Sequence, residues 1–248
     1  MQPKTFITTS WDDGHPLDFR VAELLSKHGL KGTFYIPMRC EAGTMTPRQI
    51  RDLSSEFEIG AHTLNHAILV RSPAIVAERE IYDSKEWLED ITGVNCKVFC
   101  PPQGRFDGRH LGMVERAGFL AMRTTELVST RFPARKGGLL VVPTTIQAHT
   151  HGQEIYAKNF LKRAAFENAW RFVRSGASTD WLALADFCLK QTLNLGGVFH
   201  LWGHSWELQD HDQWRRLDKM IALLGEVAKA QALTVTNGQL CDITDAKG

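Results

Sequence analysis

Nothing in this 248-residue chain approaches the roughly 18 consecutive apolar residues that a membrane-spanning helix needs. Nor does either sign of charge dominate. The 29 Lys+Arg and 28 Asp+Glu leave a formal charge of +1, so no broad basic field awaits phosphates, which excludes nucleic acid as the main partner. Cysteines are sparse and patternless. Cys40, Cys96, Cys100, Cys188 and Cys241 are odd in number and contain no CxxC pair, which argues against a disulfide framework or a structural zinc cluster. Cys96 and Cys100 fall on a strand-like segment, where residues four apart lie roughly 13 Å from each other, too far to bridge. Internal repeats, low-complexity tracts and linkers are all missing. The opening MQPKTFITTSWDDG has neither the charged start nor the apolar stretch of a signal peptide. The expectation is a protein of the reducing cytoplasm with no integral membrane segment.

What is present is an ordinary globular composition, 43% hydrophobic and 23% charged, and a regular alternation of two periodicities. Short β-rich runs are expected at Thr5–Ser10, Thr33–Ile36, Glu58–Ala61, Val98–Cys100, Phe119–Arg123, Leu139–Ile146, Val198–Gly203 and Leu233–Thr236. Pro143 marks an edge or a break in the sixth of these. Helices are expected between them, over about 17–28, from Thr46, over 73–92, 108–117, 154–174, 181–195 and 211–229. Thr46-Pro47-Arg48-Gln49 carries a capping residue, a proline suited to the first helical position and the glutamine of a capping box. Strands alternating with helices in this way predict a mostly parallel sheet covered by helices. Their number and the chain length point to an irregular (β/α) barrel of seven to eight parallel strands, in a single domain over 1–248. The stretch 124–138 gives no clear pattern.

Polar clusters follow four of these strands: Asp12-Asp13-Gly14, His62-Thr63-Leu64-Asn65-His66, Pro101-Pro102-Gln103-Gly104, and His200-Leu201-Trp202-Gly203-His204-Ser205-Trp206-Glu207. Each alone has an ordinary structural explanation as a turn, an exposed histidine pair or core aromatics. Together they gain force, because the C-terminal ends of parallel barrel strands converge on one face. One carboxylate and two imidazoles make an open ligand set for a divalent metal. The His62/His66 pair lacks the glutamate of HExxH, which disfavours a zincin protease.

These clusters resemble a known family. Thr9-Ser10-Trp11-Asp12-Asp13-Gly14 is similar to the TFDDG motif of the polysaccharide deacetylases, the NodB-homology group of carbohydrate esterase family 4. His62-Thr63-Leu64-Asn65-His66 matches that family's H-(S/T)-x-x-H motif in full, and Phe99-Cys100-Pro101-Pro102-Gln103-Gly104 resembles its third motif, of the FRxPYG type. The resemblance implies Asp13, His62 and His66 as metal ligands and Asp12 as catalytic base. It implies a general-acid histidine in the last cluster, His204 from the His-Ser-Trp-Glu match, with His200 as the rival. On the substrate side it implies Pro101, Gln103 (through its backbone N–H), Trp202 and Trp206. Two residues depart from the pattern: Cys100 stands where the family has an arginine that orients the base, and Gln103 where a tyrosine is common. The base must then be held by another group or be less perturbed. Asp180-Trp181 matches the family's Asp-Trp motif only weakly and reads better as a helix start.

The implied reaction is hydrolysis of an N-acetyl group from an N-acetylated saccharide or surface-polysaccharide precursor, using one divalent ion, zinc, with cobalt, nickel or manganese as alternatives. Two other readings are compatible with the residues: an amidohydrolase acting on a non-sugar C–N bond, and a carbohydrate-binding relative with impaired catalysis. The remaining histidines are expected to be non-catalytic, His149 and His151 being the ones nearest a strand end. Oligomeric state is not legible from the sequence.

Overall fold

The computed structural model describes residues 4–245; residues 1–3, at the start of the N-terminal stretch read above, and 246–248 lie outside the described set. In chain order the elements are β1 (Thr5–Asp12), α1 (Asp18–Lys27), β2 (Thr33–Ile36), α2 (Pro47–Ser54), β3 (Glu58–Ala61), α3 (Ala74–Thr92), β4 (Val98–Phe99), α4 (Gly108–Arg116), β5 (Ala121–Arg123), β6 (Ala134–Lys136), β7 (Leu139–Val142), β8 (Ile146–Gln147), α5 (Gln153–Arg163), α6 (Phe166–Arg174), α7 (Trp181–Leu195), β9 (Gly197–Gly203), α8 (Ser205–Asp210), α9 (Trp214–Ala230), β10 (Leu233–Thr234) and α10 (Gln239–Asp245). The strands join in one sheet, in the order β6-β7-β5-β4-β3-β2-β1-β9-β8, with β10 added beside β1. Only the β6–β7 pairing is antiparallel. The expected irregular β/α barrel is therefore present, curled and open, with eight parallel strands from β7 round to β8.

The two ends of that run are neighbouring pieces of one segment. β7 pairs with β5 and β8 with β9, and only Pro143–Thr145 separates them. Proline has no N–H to give a ladder, so the strand expected over 139–146 breaks at Pro143. Pairing resumes at Thr145, whose N–H donates to the His200 carbonyl at 3.0 Å. The segment bends from one edge of the sheet toward the other, which curls the sheet. The antiparallel β6, in the patternless stretch, was not legible: all three of its residues are exposed and impose no alternation.

β1 lies in the middle. Its first half pairs with β10 and its second half with β2, while β9 runs along its other side, so all eight of its residues are buried. A strand rich in Thr and Ser tolerates this because each hydroxyl is satisfied. Thr5 donates to the Thr192 carbonyl (3.1 Å), Thr8 to Asn237 Oδ1 (3.0 Å) and Thr9 to the Lys31 carbonyl (3.1 Å), and Ser10 bonds His200 Nε2 (2.8 Å).

The helix signals resolve as expected at Thr46, whose capping box with Gln49 is complete, and at Gly93, which closes α3 in the left-handed region at φ 69°. The single helix expected over 154–174 is instead two, α5 and α6, broken where Ala164 turns left-handed at φ 49°. The break folds Phe172 back onto Tyr156, with ring centroids 4.5 Å apart and stacked. In one straight helix these residues, sixteen apart, would stand about 24 Å from each other. Burial of the two rings overrides the local periodicity. The helix expected over 211–229 likewise starts later, at Trp214, after the short α8 and a left-handed Asp212 (φ 49°).

Phe172→Ala is expected to cost about 3–5 kcal/mol, as for other buried phenylalanines. Chemical denaturation measures it, and a loss below about 1 kcal/mol would show that the α5–α6 pair is not a cooperative part of the fold.

Candidate active site

β1 ends in two adjacent carboxylates, Asp12 and Asp13, only 3% and 4% exposed. Asp12 is the last residue of the strand and Asp13 the first of the turn, at φ 78°, and each buried carboxylate has its own compensating partners. Asp12 finds it in Arg123, at the end of β5, which donates from Nη2 to Asp12 Oδ1. Arg123 is fully buried, and its guanidinium lies over the rings of Trp202 (4.7 Å) and Tyr35 (5.1 Å). Those aromatic faces support a charge whose Nε and Nη1 have no hydrogen-bond partner. Position 100, where the resemblance placed an arginine, holds a buried thiol that burial pushes well above its ordinary pKa. The guanidinium missing from β4 is thus supplied by the next strand of the sheet. Sequence reading missed Arg123 because it sits in a short strand with no motif around it.

Asp13 faces the other way. The chain turns left-handed there (φ 78°) and again at Gly14 (φ 62°), where a Cβ would come within 2.6 Å of Ile36 Cγ2, so glycine is required. Asp13 Oδ1 is buried and makes no directed hydrogen bond, yet lies 3.5 Å from His62 Nε2 and 3.2 Å from His66 Nε2. His62 donates from Nδ1 to the Cys100 carbonyl at 2.7 Å, which leaves its Nε2 as a lone pair toward that oxygen. A lone pair and a carboxylate oxygen converging in a dry site call for a cation between them, and this donor set fits a divalent one. Burial opposes ionisation of His66, but the Asp13 carboxylate outweighs it and raises its pKa to about 10. The loop carrying the two histidines is pinned from α3. Glu80 accepts from the Asn65 backbone N–H and side-chain amide, both at 2.8 Å. Cys40, in the loop after β2, brings its thiol within 4.8 Å of the Asp13 and His66 donors.

The last cluster divides sharply. His200 is fully buried; its Nδ1 donates to the Pro143 carbonyl (3.0 Å) and its Nε2 bonds Ser10 Oγ (2.8 Å), so both nitrogens are committed to the core. Burial, then the charge of Arg123, drop its pKa to about 3. It is not on the wall of the site, and its candidacy as general acid meets a structural obstacle: on β9 it points between strands. His204, four residues on, lies just past the strand end with Nε2 4.0 Å from Asp13 Oδ2. Its Nδ1 donates to Glu207 at 2.7 Å. Burial works against the imidazolium, but Glu207 and the two aspartates raise its pKa to about 9. Gln147 holds Glu207 in turn, its side-chain amide donating at 3.0 Å, and His151 Nε2 bonds Gln147 Oε1 at 2.8 Å. Trp206 donates its indole N–H to Asp13 Oδ2 at 2.9 Å, and its ring lies 5.5 Å from that of His204.

These groups line a single cavity of about 400 Å³: Asp12, Asp13, His62, His66, Gln103, Trp202, His204 and Trp206 are on its wall, together with Glu207, His151 and the α5 residues Ile155 and Asn159. Pro101 is buried behind the wall, where its carbonyl accepts the Gly104 N–H at 2.9 Å; it shapes the turn that presents Gln103. Asp180, by contrast, caps α7 through the Leu182 and Ala183 N–H groups. Asp13, Thr63, His66 and Gln103 all have positive φ. Such conformations are costly for residues with a Cβ and persist where surrounding structure enforces them, often at functional sites.

Removing either partner of the Asp12–Arg123 pair leaves a buried charge, so Arg123→Ala is expected to destabilise the protein by about 3–5 kcal/mol. In a denaturation cycle with Asp12→Asn, the double variant should cost clearly less than the sum of the singles; additive losses would show that the two are uncoupled. In metal-free protein, the raised His204 pKa contributes stability that is complete below its unfolded value near 6.5 and is lost as pH rises through about 9. Glu207→Gln should lessen that decline in a pH series of unfolding curves, leaving the parts that belong to His66 and to the effect of the two aspartates on His204; an unchanged slope would separate Glu207 from His204.

No curated protein matches the sequence. Solved structures match its fold. A proposed polysaccharide deacetylase from Mycobacterium smegmatis superposes with a TM-score of 0.72 at 15% identity, over 100% of this chain and 92% of the other. The peptidoglycan deacetylase PdaC of Bacillus subtilis gives 0.59 at 16%, covering 99% and 93%. A family 4 carbohydrate esterase of Streptomyces lividans, in complex with acetate, gives 0.53 at 14%, covering 89% of each. Residues 1–122, which contain Asp12, Asp13, His62, His66 and Gln103, match the family model described as polysaccharide deacetylase. The first half of the chain, residues 1–122, thus carries the polysaccharide deacetylase (NodB-homology) match that its motifs resemble, and the whole chain shares the fold of these deacetylases.

Proposed function

We propose that the chain is a metal-dependent N-deacetylase acting on an N-acetylated sugar. The observation that carries this reading is the convergence of Asp12, Asp13, His62, His66 and His204 on one cavity with Gln103 at its rim. Asp13, His62 and His66 would hold a divalent cation, zinc by the chemistry of the donors, with cobalt, nickel or manganese as alternatives. When bound, that ion supplies Lewis acidity toward the acetamide carbonyl and lowers the pKa of water.

Asp12 accepts the proton of the attacking water. Arg123 fixes its carboxylate and keeps it from turning toward Asp13. Gln103, held left-handed at φ 56°, offers its backbone N–H to the developing oxyanion. His204 gives its Nε2 proton to the departing amine; with Nδ1 tied to Glu207, the transferable proton is the one facing the cavity. Trp202 and Trp206 supply apolar wall for the sugar face. Trp206 also steadies Asp13, a task independent of substrate.

Arg123 weighs against a relative that has lost catalysis, since the base has its guanidinium although Cys100 cannot provide one. A ureide or cyclic amide is the alternative substrate class, and profiling acetate release against ammonia release separates the two. Cys40, Cys96, Cys100 and Cys188 are free thiols, which suits a reducing compartment, the cytoplasm, and no helix among the described residues is long and apolar enough to cross a membrane.

Elemental analysis of protein purified without chelator should find about one transition-metal ion per chain, lost in His66→Ala. Asp12→Asn and His204→Ala should each lower acetate release by about 10²–10⁴-fold while the metal stays bound. Absence of metal after reconstitution, or unimpaired turnover in either variant, would overturn the assignment.

A further inference from the structure

On the far side of the Gln103–Gly104 turn lies a second cavity, of about 340 Å³, with a different character. Arg131, Lys136, Lys162 and Arg163 line it, against one carboxylate, Glu126. That carboxylate is already engaged: it accepts from Arg131 and from Asn168, both at 2.9 Å. Among the described residues, Lys136, Lys162 and Arg163 have no carboxylate within ion-pair distance. Arg163 donates to Thr125 Oγ1 at 3.1 Å and leaves its buried Nε without a partner. The cations also press on one another. Lys162 has its pKa lowered by burial and by Arg163 and Arg105; Arg163 is lowered by burial and by Arg131, with Glu126 acting in the opposite sense. In a chain whose formal charge is only +1, this concentration is local.

The two cavities share a thin wall. Gln103 lines the first and Gly104 the second; Thr125 lines the first and Thr124 the second. Gly104 sits so close to Thr125 that a Cβ would fall 1.9 Å from its Oγ1. On α5, Asn159 faces the first cavity and Lys162 and Arg163 the second, one helical turn further on, about 5–6 Å. A substrate group that reaches Asn159 from the first cavity therefore lies about one helical turn from Lys162 and Arg163.

We propose that this basic cavity binds a phosphate or diphosphate ester carried by the acetylated sugar, an inference that rests on the deacetylase reading above. Three cations without carboxylate partners match a multiply charged anion better than a single carboxylate. The fork of Arg163 and the ammonium groups of Lys136 and Lys162 provide the several donors that phosphate oxygens accept. The carrier beyond the phosphate, nucleotide or lipid, is a second question with the same chemistry at this site.

The test compares the full-length, metal-loaded protein with its Lys136→Gln/Lys162→Gln variant, on N-acetylglucosamine 1-phosphate and on the neutral methyl N-acetylglucosaminide. The wild type should prefer the phosphate ester at least tenfold in kcat/KM, through KM, and the variant should lose that preference while treating the neutral glycoside as before. An equal preference in both proteins, or stronger use of a carboxylate-bearing N-acetyl sugar than of the phosphate, overturns the proposal and leaves the deacetylase reading intact. If neither substrate releases acetate, calorimetry of N-acetylglucosamine 1-phosphate on metal-free protein still decides: at least tenfold weaker binding to the variant supports the anion site, and equal or no binding rejects it. Ranking a uridine diphosphate sugar against a short-chain prenyl diphosphate sugar then identifies the carrier.

Discussion

Two carboxylates in succession at the buried end of the central strand set the terms for everything around them. A buried environment tolerates ionised Asp12 and Asp13 only if opposite charge and hydrogen-bond donors are brought to each from elsewhere, and the left-handed turn that begins at Asp13 gives the two different partners. Arg123 answers the first from β5; His62, His66 and the Trp206 indole answer the second from β3's loop and from α8. The sheet order explains why these groups can meet. β1 stands between β2 and β9, and the curl of the sheet brings the ends of β3, β5 and β9 round toward it.

Holding that arrangement requires backbone that most sequences avoid. Asp13 and Gly14, Thr63 and His66, Gln103 and Gly104 are all left-handed, and they occur in the loops after β1, β3 and β4. Each loop turns back on itself directly after a buried strand, so its side chains project over the strand ends instead of continuing into the helical layer. The cost is met by neighbours that leave no alternative: Ile36 against Gly14, Glu80 beneath Asn65, Thr125 against Gly104.

The final histidine belongs to a different chain of interactions. His204, Glu207, Gln147 and His151 form a line of hydrogen bonds from the cavity toward the α5 side. The carboxylate keeps the imidazole protonated and oriented in metal-free protein, and the amide fixes the carboxylate. The helix α5 that contributes Ile155 and Asn159 to this cavity also carries Lys162 and Arg163, two of the four basic residues of the neighbouring one.

The sequence by itself determined the alternating architecture, because burial on both faces of parallel strands and on one face of each helix leaves periodic marks that local chemistry can read. Also legible were the candidate-site residues that lie in contiguous motifs and that line one cavity: Asp12 and Asp13, His62 and His66, Gln103 at its turn. Tertiary structure alone decided the rest. Arg123 compensates for Cys100 from another strand, a relation invisible along the chain since the two are neighbours only across the β4–β5 pairing. His200 and His204 are equivalent as residues on one strand face, and what separates them is that the strand ends between them, leaving one among core acceptors and the other at the cavity. Helices α5 and α6 separate because Tyr156 and Phe172 gain more from stacking than continuous periodicity offers. In each case the deciding interaction joins residues distant in sequence, and its energy comes from burial that only the assembled sheet provides.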